Sequence, residues 1–336
     1  MRAVVVEEPC EPRALRVRDD VDEPAAAPGE VVVAVRAAAL NFSDVLLARG
    51  RYQERPPLPF VLGRELAGEV AAVGEGVAGL APGDRVAASG TVGAFAERAA
   101  VAAARCIRVP DALDFARAAA LPITYGTSHA ALVDRAALRR GETVLVHAAA
   151  GGTGLAAVQI AAARGARVFA TAGGAEKCAL ALAHGAERAV DTAEGDFVER
   201  VRAWTDGRGV DVVFDPVGGD TALRSLDCLA WKGRLLVVGF ASGDIPALAL
   251  DRVQRAGVDV VGVNWPGFEA RAPARARALL DDLFALAARG ALRPAVALHR
   301  GLEAIPEALA ALAERRTQGK LVVEVARHTA GEVSAR

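Results

Sequence analysis

The sequence predicts an α/β chain in two parts, a β-rich first domain and a doubly wound parallel sheet. Three observations carry this expectation. From Thr143 onward, short β-branched runs alternate with Ala- and Leu-rich helical stretches, the signature of repeated βα units. The run Val144-Leu145-Val146-His147 enters a turn of small residues, Ala148 to Gly154, that opens into an apolar helix. The first third is made of brief strand-like runs punctuated by Gly and Pro, with few helical stretches.

In the first part, Glu30–Arg36 follows the turn pair Pro28-Gly29 and reads as a strand, as do Glu65–Gly74 and Asp84–Ala87. From Asp114 to Arg139 the texture becomes helical. Six strands are then expected: Thr143–His147, Ala166–Ala170, Glu187–Val190, Val210–Phe214, Arg234–Val238 and Val258–Val263. Between them lie the helices Gly154–Arg164, Ala175–Gly185, Asp196–Trp204 and Thr221–Ala230. A long helix, Arg271–Arg289, a shorter one, Ile305–Arg316, and a last strand, Lys320–Val325, complete the chain. That last strand has no place left in the parallel sheet and is expected to return to the first domain. The expected domains are 1–121, 122–264 and a returning segment 265–336.

Composition excludes several classes. The net charge is −1 with acids and bases interspersed, so no basic stripe favours nucleic acid. No apolar run reaches the roughly 18 residues of a membrane helix. The first residues carry Glu7 and Glu8 and lack a signal-peptide core, and the four cysteines form no Cys-x-x-Cys pair. A reducing cytoplasm is the expected location.

The turn Ala149-x-Gly151-x-x-Gly154 is a variant of the dinucleotide fingerprint. Gly151 allows close approach of a pyrophosphate, Gly154 lets helix and strand pack closely, and the N–H groups of Gly152 and Thr153 face the phosphates. Where an NAD site usually offers an acid after the second strand, this chain has Thr171, Ala172 and Gly173, and Lys177 follows. That combination favours NADPH over NADH.

These pieces, with Asn41-Phe42-Ser43-Asp44, Gly50-Arg51-Tyr52, Gly63-x-Glu65-x-Ala67-Gly68, Pro82-Gly83-Asp84-Arg85-Val86 and Phe214-Asp215-Pro216-Val217-Gly218-Gly219, resemble the zinc-independent quinone oxidoreductase (zeta-crystallin-like) family of medium-chain dehydrogenases/reductases. The resemblance implies a GroES-like catalytic domain beside a Rossmann domain, with NADPH as cofactor. It implies that Asn41, Asp44 and Tyr52 line the nicotinamide site. It further implies cofactor contacts from Thr127, Gly173, Thr192, Val217, Gly239, Phe240, Ala241 and Asn264. Zinc-dependent cousins hold Cys where Asn41 stands and His where Arg64 stands. An amide and a guanidinium are not zinc ligands, so no metal is expected. The acceptor should then be an activated electrophile, a quinone or an enone. By the same resemblance, a homodimer is expected through Val258–Val263.

Alternatives stay open at this level. Tyr52 either donates to the substrate or anchors a loop. Asn41 also suits the N-cap of a helix begun by Phe42-Ser43-Asp44, and Asp44 suits an acceptor better than a base. Asp191 would repel a 2′-phosphate if it pointed inward, His147 suits a packed core position, and Trp265 suits either a pocket wall or a dimer interface. Besides a quinone reductase, the sequence allows a 2-enoyl reductase or a non-catalytic NADPH-binding protein.

Overall fold

The computed structural model describes residues 1–90 and 92–325. They form two compact units, Met1–Pro122 with Ala295 onward, and Ile123–Pro294. The return to the first unit therefore begins at Ala295, not at Trp265 as the expected segment 265–336 had it. Gln159 shows one reason. Its Nε2 donates to the Arg293 carbonyl at 3.0 Å and its Oε1 accepts the Arg293 N–H at 2.7 Å, fastening the end of the second unit to its own core.

The first unit contains β1 (Ala3–Val6), β2 (Arg16–Arg18), β3 (Glu30–Ala39), β4 (Phe60–Val61), β5 (Glu65–Val73), β6 (Arg85–Ser89), β7 (Arg98–Ala102) and β8 (Cys106–Arg108). The late strands β15 (Val296–Arg300) and β16 (Lys320–Glu324) join it. A small sheet runs β2-β1-β4, and a larger one runs β15-β16-β3-β5-β6-β8 with β7 also on β3. The last strand returns as expected: β16 pairs antiparallel with β3 through Val322 and Ala39. Backbones close tightly here because Gly68 lacks a side chain; a Cβ there would lie 2.1 Å from the Ala34 carbonyl oxygen. Helices α1 (Phe42–Ala48), α2 (Phe115–Ala119) and α11 (Ile305–Ala313) belong to this unit, and Val33, Leu40, Leu62, Phe95 and Leu309 are buried in its core.

The second unit is an all-parallel sheet of β9 (Thr143–Val146), β10 (Arg167–Ala172), β11 (Arg188–Asp191), β12 (Val210–Asp215), β13 (Leu229–Val237) and β14 (Asp259–Gly262). The order β11-β10-β9-β12-β13-β14 is that of a Rossmann sheet, with the strand order reversing between β9 and β12. Its helices are α3 (Gly126–His129), α4 (Gly152–Ala163), α5 (Ala175–Ala183), α6 (Phe197–Trp204), α7 (Gly219–Ser225), α8 (Leu250–Ala256), α9 (Trp265–Arg271) and α10 (Pro273–Ala288).

Three expectations change. The helix expected over Thr221–Ala230 starts earlier and ends at Ser225, and β13 begins at Leu229. The long helix Arg271–Arg289 is two helices, broken at Ala272 (φ −136°, ψ 58°). Pro273 explains the break, since a residue before proline is driven out of the α region. Around α3, residues Leu121–Tyr125 and Ala130–Arg135 are π-helical, a form the apolar pattern cannot distinguish from α.

Candidate active site

Two groups of residues matter, one in each unit. In the second unit, β9 ends in the turn that the sequence marks. Ala148 adopts φ 48°, making it the left-handed residue of the turn. Ala149 donates its N–H to the Thr171 carbonyl at 3.0 Å, and Gly151 closes the turn onto Ala148 O at 3.0 Å. Gly151 is the N-cap of α4, leaving the first N–H groups of a 12-residue helix at the carboxyl end of the sheet. A Cβ on Gly154 would lie 2.2 Å from the Ala148 carbonyl oxygen. Only glycine permits this packing.

Backbone contacts knit the neighbouring loops. Asp215 Oδ1 accepts the N–H of Val217 at 2.8 Å and of Gly218 at 3.1 Å. Ala241 N–H donates to Pro216 O at 3.0 Å, which places Val217, Gly239, Phe240 and Ala241 together beyond β12 and β13. Gly173 lies beside Thr192, whose hydroxyl is 3.8 Å from a Cβ built on Gly173. Lys177 is half-buried in the first turn of α5. Asp191 is committed: its Oδ1 accepts the N–H of Ala193 at 3.0 Å and of Gly174 at 2.9 Å. Those two backbone hydrogen bonds hold its carboxyl below the usual carboxylate range. The carboxylate thus ties the turns after β10 and β11 together.

Thr127 is half-buried on α3. Asn264 caps α9, its Oδ1 accepting the Gly267 N–H at 3.0 Å. Trp265 is buried, stacked on Phe268 and packed against Gly126, so within its own unit it is core and not an exposed interface residue. His147 is core as well. Its Nδ1 meets Thr171 Oγ1 and its Nε2 meets Ser225 Oγ, both at 2.9 Å. Because Ser225 spends its proton on the Thr221 carbonyl, His147 Nε2 is the donor and Nδ1 the acceptor. Burial pushes this imidazole down to about 3.

In the first unit, Asn41 occupies the N-cap position of α1. Asp44 Oδ2 reaches back to accept the Asn41 N–H at 2.7 Å. The Asn41 carboxamide is also committed. Its Nδ2 donates to Glu65 Oε2 at 3.0 Å and Ala39 O at 3.3 Å, and its Oδ1 accepts from Lys320 Nζ at 2.5 Å. Lys320 Nζ also pairs with Glu65 Oε2 at 2.8 Å, with side-chain exposures of only 4 % and 0 %. Sequence reasoning missed Lys320 and Glu65 as site residues. A lone lysine in a C-terminal strand carries no signal until the strand is seen beside β3.

Tyr52 is half-buried, and the Arg64 guanidinium carbon lies 4.8 Å from its ring centroid. Asp44 is fully buried, and its Oδ1 has no partner among the described residues. Desolvation raises its carboxyl to about 7 despite the Asn41 N–H and the nearby Lys320 and Arg64 charges.

That value sets a pH test. Folded Asp44 holds its proton up to about 7, whereas the unfolded chain releases it near 3.8. The folded form therefore binds more protons between those values, and this group's contribution to stability falls as pH rises through that window. Asp44→Asn keeps the acceptor for Asn41 and cannot ionise. Its melting temperature relative to wild type is expected to climb from pH 4 to pH 7 and then level off, as read by thermal unfolding across pH. A constant difference would contradict the burial argument.

A β-rich unit closed by a C-terminal strand, and a Rossmann sheet with its glycine turn, form the domain pair of the medium-chain dehydrogenases/reductases. Comparison with known proteins agrees. Residues 27–111 match the alcohol dehydrogenase GroES-like domain, and residues 152–283 match the family described as zinc-binding dehydrogenase. A quinone oxidoreductase from Pseudomonas aeruginosa is 40% identical over 93% of this chain and 96% of its own length. A quinone oxidoreductase-like protein 2 homolog from Nematostella vectensis is 38% identical over 88% of this chain and 81% of its own. The crystal structure of Escherichia coli quinone oxidoreductase complexed with NADPH superposes with a TM-score of 0.88 at 32% identity, covering 96% of this chain and all of that one. The chain belongs to the quinone oxidoreductase family of medium-chain dehydrogenases/reductases, a family of oxidoreductases. Among the described residues no helix is long and apolar enough to cross a membrane.

Proposed function

We propose that this chain is an NADPH-dependent reductase that passes hydride to a quinone without a metal. The observation that carries the reading is Lys320. Its ammonium sits 2.5 Å from Asn41 Oδ1 and 2.8 Å from Glu65 Oε2. A divalent ion placed on those oxygens would meet a fixed cation at contact distance, and Arg64 adds a second positive group where a ligand would be needed. Zinc takes thiolate, imidazole or carboxylate; of the residues here only Glu65 qualifies, and Lys320 already occupies it, so this donor set does not fit zinc. Without a Lewis acid to activate an alcohol, the favoured acceptor already carries its electrophile.

The turn fits a dinucleotide. Gly154 lets α4 start close against the turn, and the helix start offers N–H groups to a pyrophosphate. Lys177 would meet the 2′-phosphate, with Gly173 and Thr192 beside it. Thr127, Val217 and the backbone of Gly239 to Ala241 would border the rest of the cofactor, and Asn264 would stand behind its own helix cap. Reduced nicotinamide, when bound, supplies the hydride. Asn41, Asp44 and Tyr52 are the first-unit residues proposed to act on the acceptor, with the Tyr52 hydroxyl offering a donor to a carbonyl oxygen. The reading includes a cytoplasmic location and a homodimer through β14, an edge strand with Val260 exposed. Cell fractionation and sedimentation check these two points.

Lys177→Ala is expected to weaken NADPH by about 1.5–3 kcal/mol, the loss of one charge-assisted contact. An unchanged NADPH KM would remove Lys177 from the phosphate site. The acceptor is tested by NADPH oxidation with phenanthrenequinone against crotonyl-CoA. Turnover with the quinone alone supports the proposal. Turnover with the thioester alone makes the chain an enoyl reductase, and activity with neither overturns the reading.

A further inference from the structure

We propose that Arg64 is the oxyanion-binding group of this site, its guanidinium receiving the acceptor's carbonyl oxygen as that oxygen becomes negative. The inference rests on the reductase reading above. Arg64 leaves the turn at Gly63 (φ 96°), where a Cβ would lie 2.4 Å from the Phe95 ring. The turn and the start of β5 hold the arginine against Tyr52. Its side chain is 8 % exposed, yet the five N–H donors of a guanidinium have one hydrogen-bonding side chain among the described residues. That partner is Glu54 at 3.4 Å, a long contact from a carboxylate that is 52 % exposed. Arg64 Nε has no partner among the described residues.

Two other cations, the buried Lys320 and the partly buried Arg234, are paired more fully. Lys320 is taken by Asn41 and Glu65. Arg234 is paired through both terminal nitrogens with Glu142, at 3.0 and 2.8 Å. Arg64 alone of these three combines burial with a single, long side-chain hydrogen bond to an anion. A desolvated cation so poorly compensated is unfavourable and is completed by an incoming anion. The contact with Tyr52 supports this. An aromatic face steadies a guanidinium while its donor fork stays suited to oxygen anions.

The chemistry balances. Hydride from the reduced nicotinamide of the proposed function brings two electrons and one hydrogen nucleus to the acceptor. As the acceptor's conjugated π system takes up that hydride, an electron pair settles on the carbonyl oxygen. Arg64 donates hydrogen bonds to that oxygen and keeps its own protons. One proton, from Tyr52 or from water, then neutralises the oxygen, and solvent restores Tyr52 if it was the donor. Donors aimed at developing charge act in this way in oxyanion holes.

The test needs no turnover. Pentafluorophenolate, a small aromatic oxyanion, is titrated into the NADPH-loaded protein and followed by fluorine NMR, with neutral pentafluoroanisole as the shape control. Wild type is expected to bind the phenolate. Arg64→Met and Arg64→Gln are expected to bind it at least about tenfold more weakly, as loss of a charge-assisted hydrogen bond implies, with the anisole unchanged. On wild-type protein, phenylglyoxal modification of Arg64, read by mass spectrometry, is expected to slow when the phenolate is present. That measurement stands even if both variants fail to fold. Wild type that ignores the phenolate, a folded variant that binds it normally, equal loss of both probes, or unprotected Arg64 would each overturn the assignment. Arg64-dependent phenolate binding in a chain that never oxidises NADPH with a quinone would sink the reductase reading and leave this subsite standing.

Discussion

Lys320→Met is expected to destabilise the protein by about 3–5 kcal/mol, the usual cost of removing one partner from a buried ion pair. Glu65 would stay fully buried and lose its ammonium partner, while keeping the hydrogen bond from Asn41 Nδ2. The Asn41 carbonyl would lose its donor at the same time. The damage should therefore reach the N-terminus of α1, where Asn41 and Asp44 meet. A second change, Glu65→Gln, removes the stranded charge and is expected to recover part of the loss. The two substitutions share a network, so their effects should not add. Urea unfolding of the single and double variants measures this. A single variant as stable as wild type, or a double variant that is simply the sum, would show that the pair is not the element that joins β16 to α1.

The second large effect lies at Gly154. Alanine there would place Cβ 2.2 Å from Ala148 O, 2.8 Å from Ala148 C and 2.9 Å from Ala149 Cα. All three are backbone atoms, so no rotamer change relieves the contact. Overpacking of this kind costs about 1–3 kcal/mol. Because the turn itself must move, the N–H groups at the start of α4 move with it. Gly154→Ala is expected to lower the melting temperature and to weaken NADPH strongly in a fluorescence titration. Gly151 is the control. A Cβ there meets only Ala148 O, at 3.4 Å, and the residue is exposed with φ −79°. Gly151→Ala should fold as wild type and still bind NADPH poorly, because its methyl group projects from the cap where the pyrophosphate would approach. Normal binding by Gly154→Ala would mean that the cofactor does not use this turn.

The two sites differ in how legible they were. The Rossmann unit was readable because its signals are local. A strand, a tight turn and a helix occupy consecutive residues from Thr143 to Ala163, and the alternation repeats through β14. Local signals also misled. The run from Asp114 to Arg139 reads as helical, yet Leu121–Tyr125 and Ala130–Arg135 are π-helical, because π turns this short leave the apolar pattern of a helix almost unchanged. α8 was missed altogether: none of its residues is fully buried, and only Val253 and Ala256 pack against the core, too short an apolar face to mark it.

The first unit's site was legible only in part. Asn41 and Asp44 lie three residues apart and announce a helix cap. Lys320 lies 279 positions from Asn41, and nothing near it in the chain says that its ammonium is buried. Only the antiparallel pairing of β16 with β3 reveals that. The same holds for Asp191, whose charge looked hostile to a phosphate. Its carboxylate is occupied by Gly174 and Ala193 N–H groups, an arrangement set by the neighbouring strand.

Hydride transfer without metal is tested by removing any metal from the protein. The purified protein is dialysed exhaustively against a strong chelator, its zinc content is measured, and NADPH oxidation by phenanthrenequinone is then followed. Undiminished turnover in zinc-free protein, with no gain when zinc is returned, is the expected result. Activity that disappears with the metal and comes back with stoichiometric zinc would contradict it.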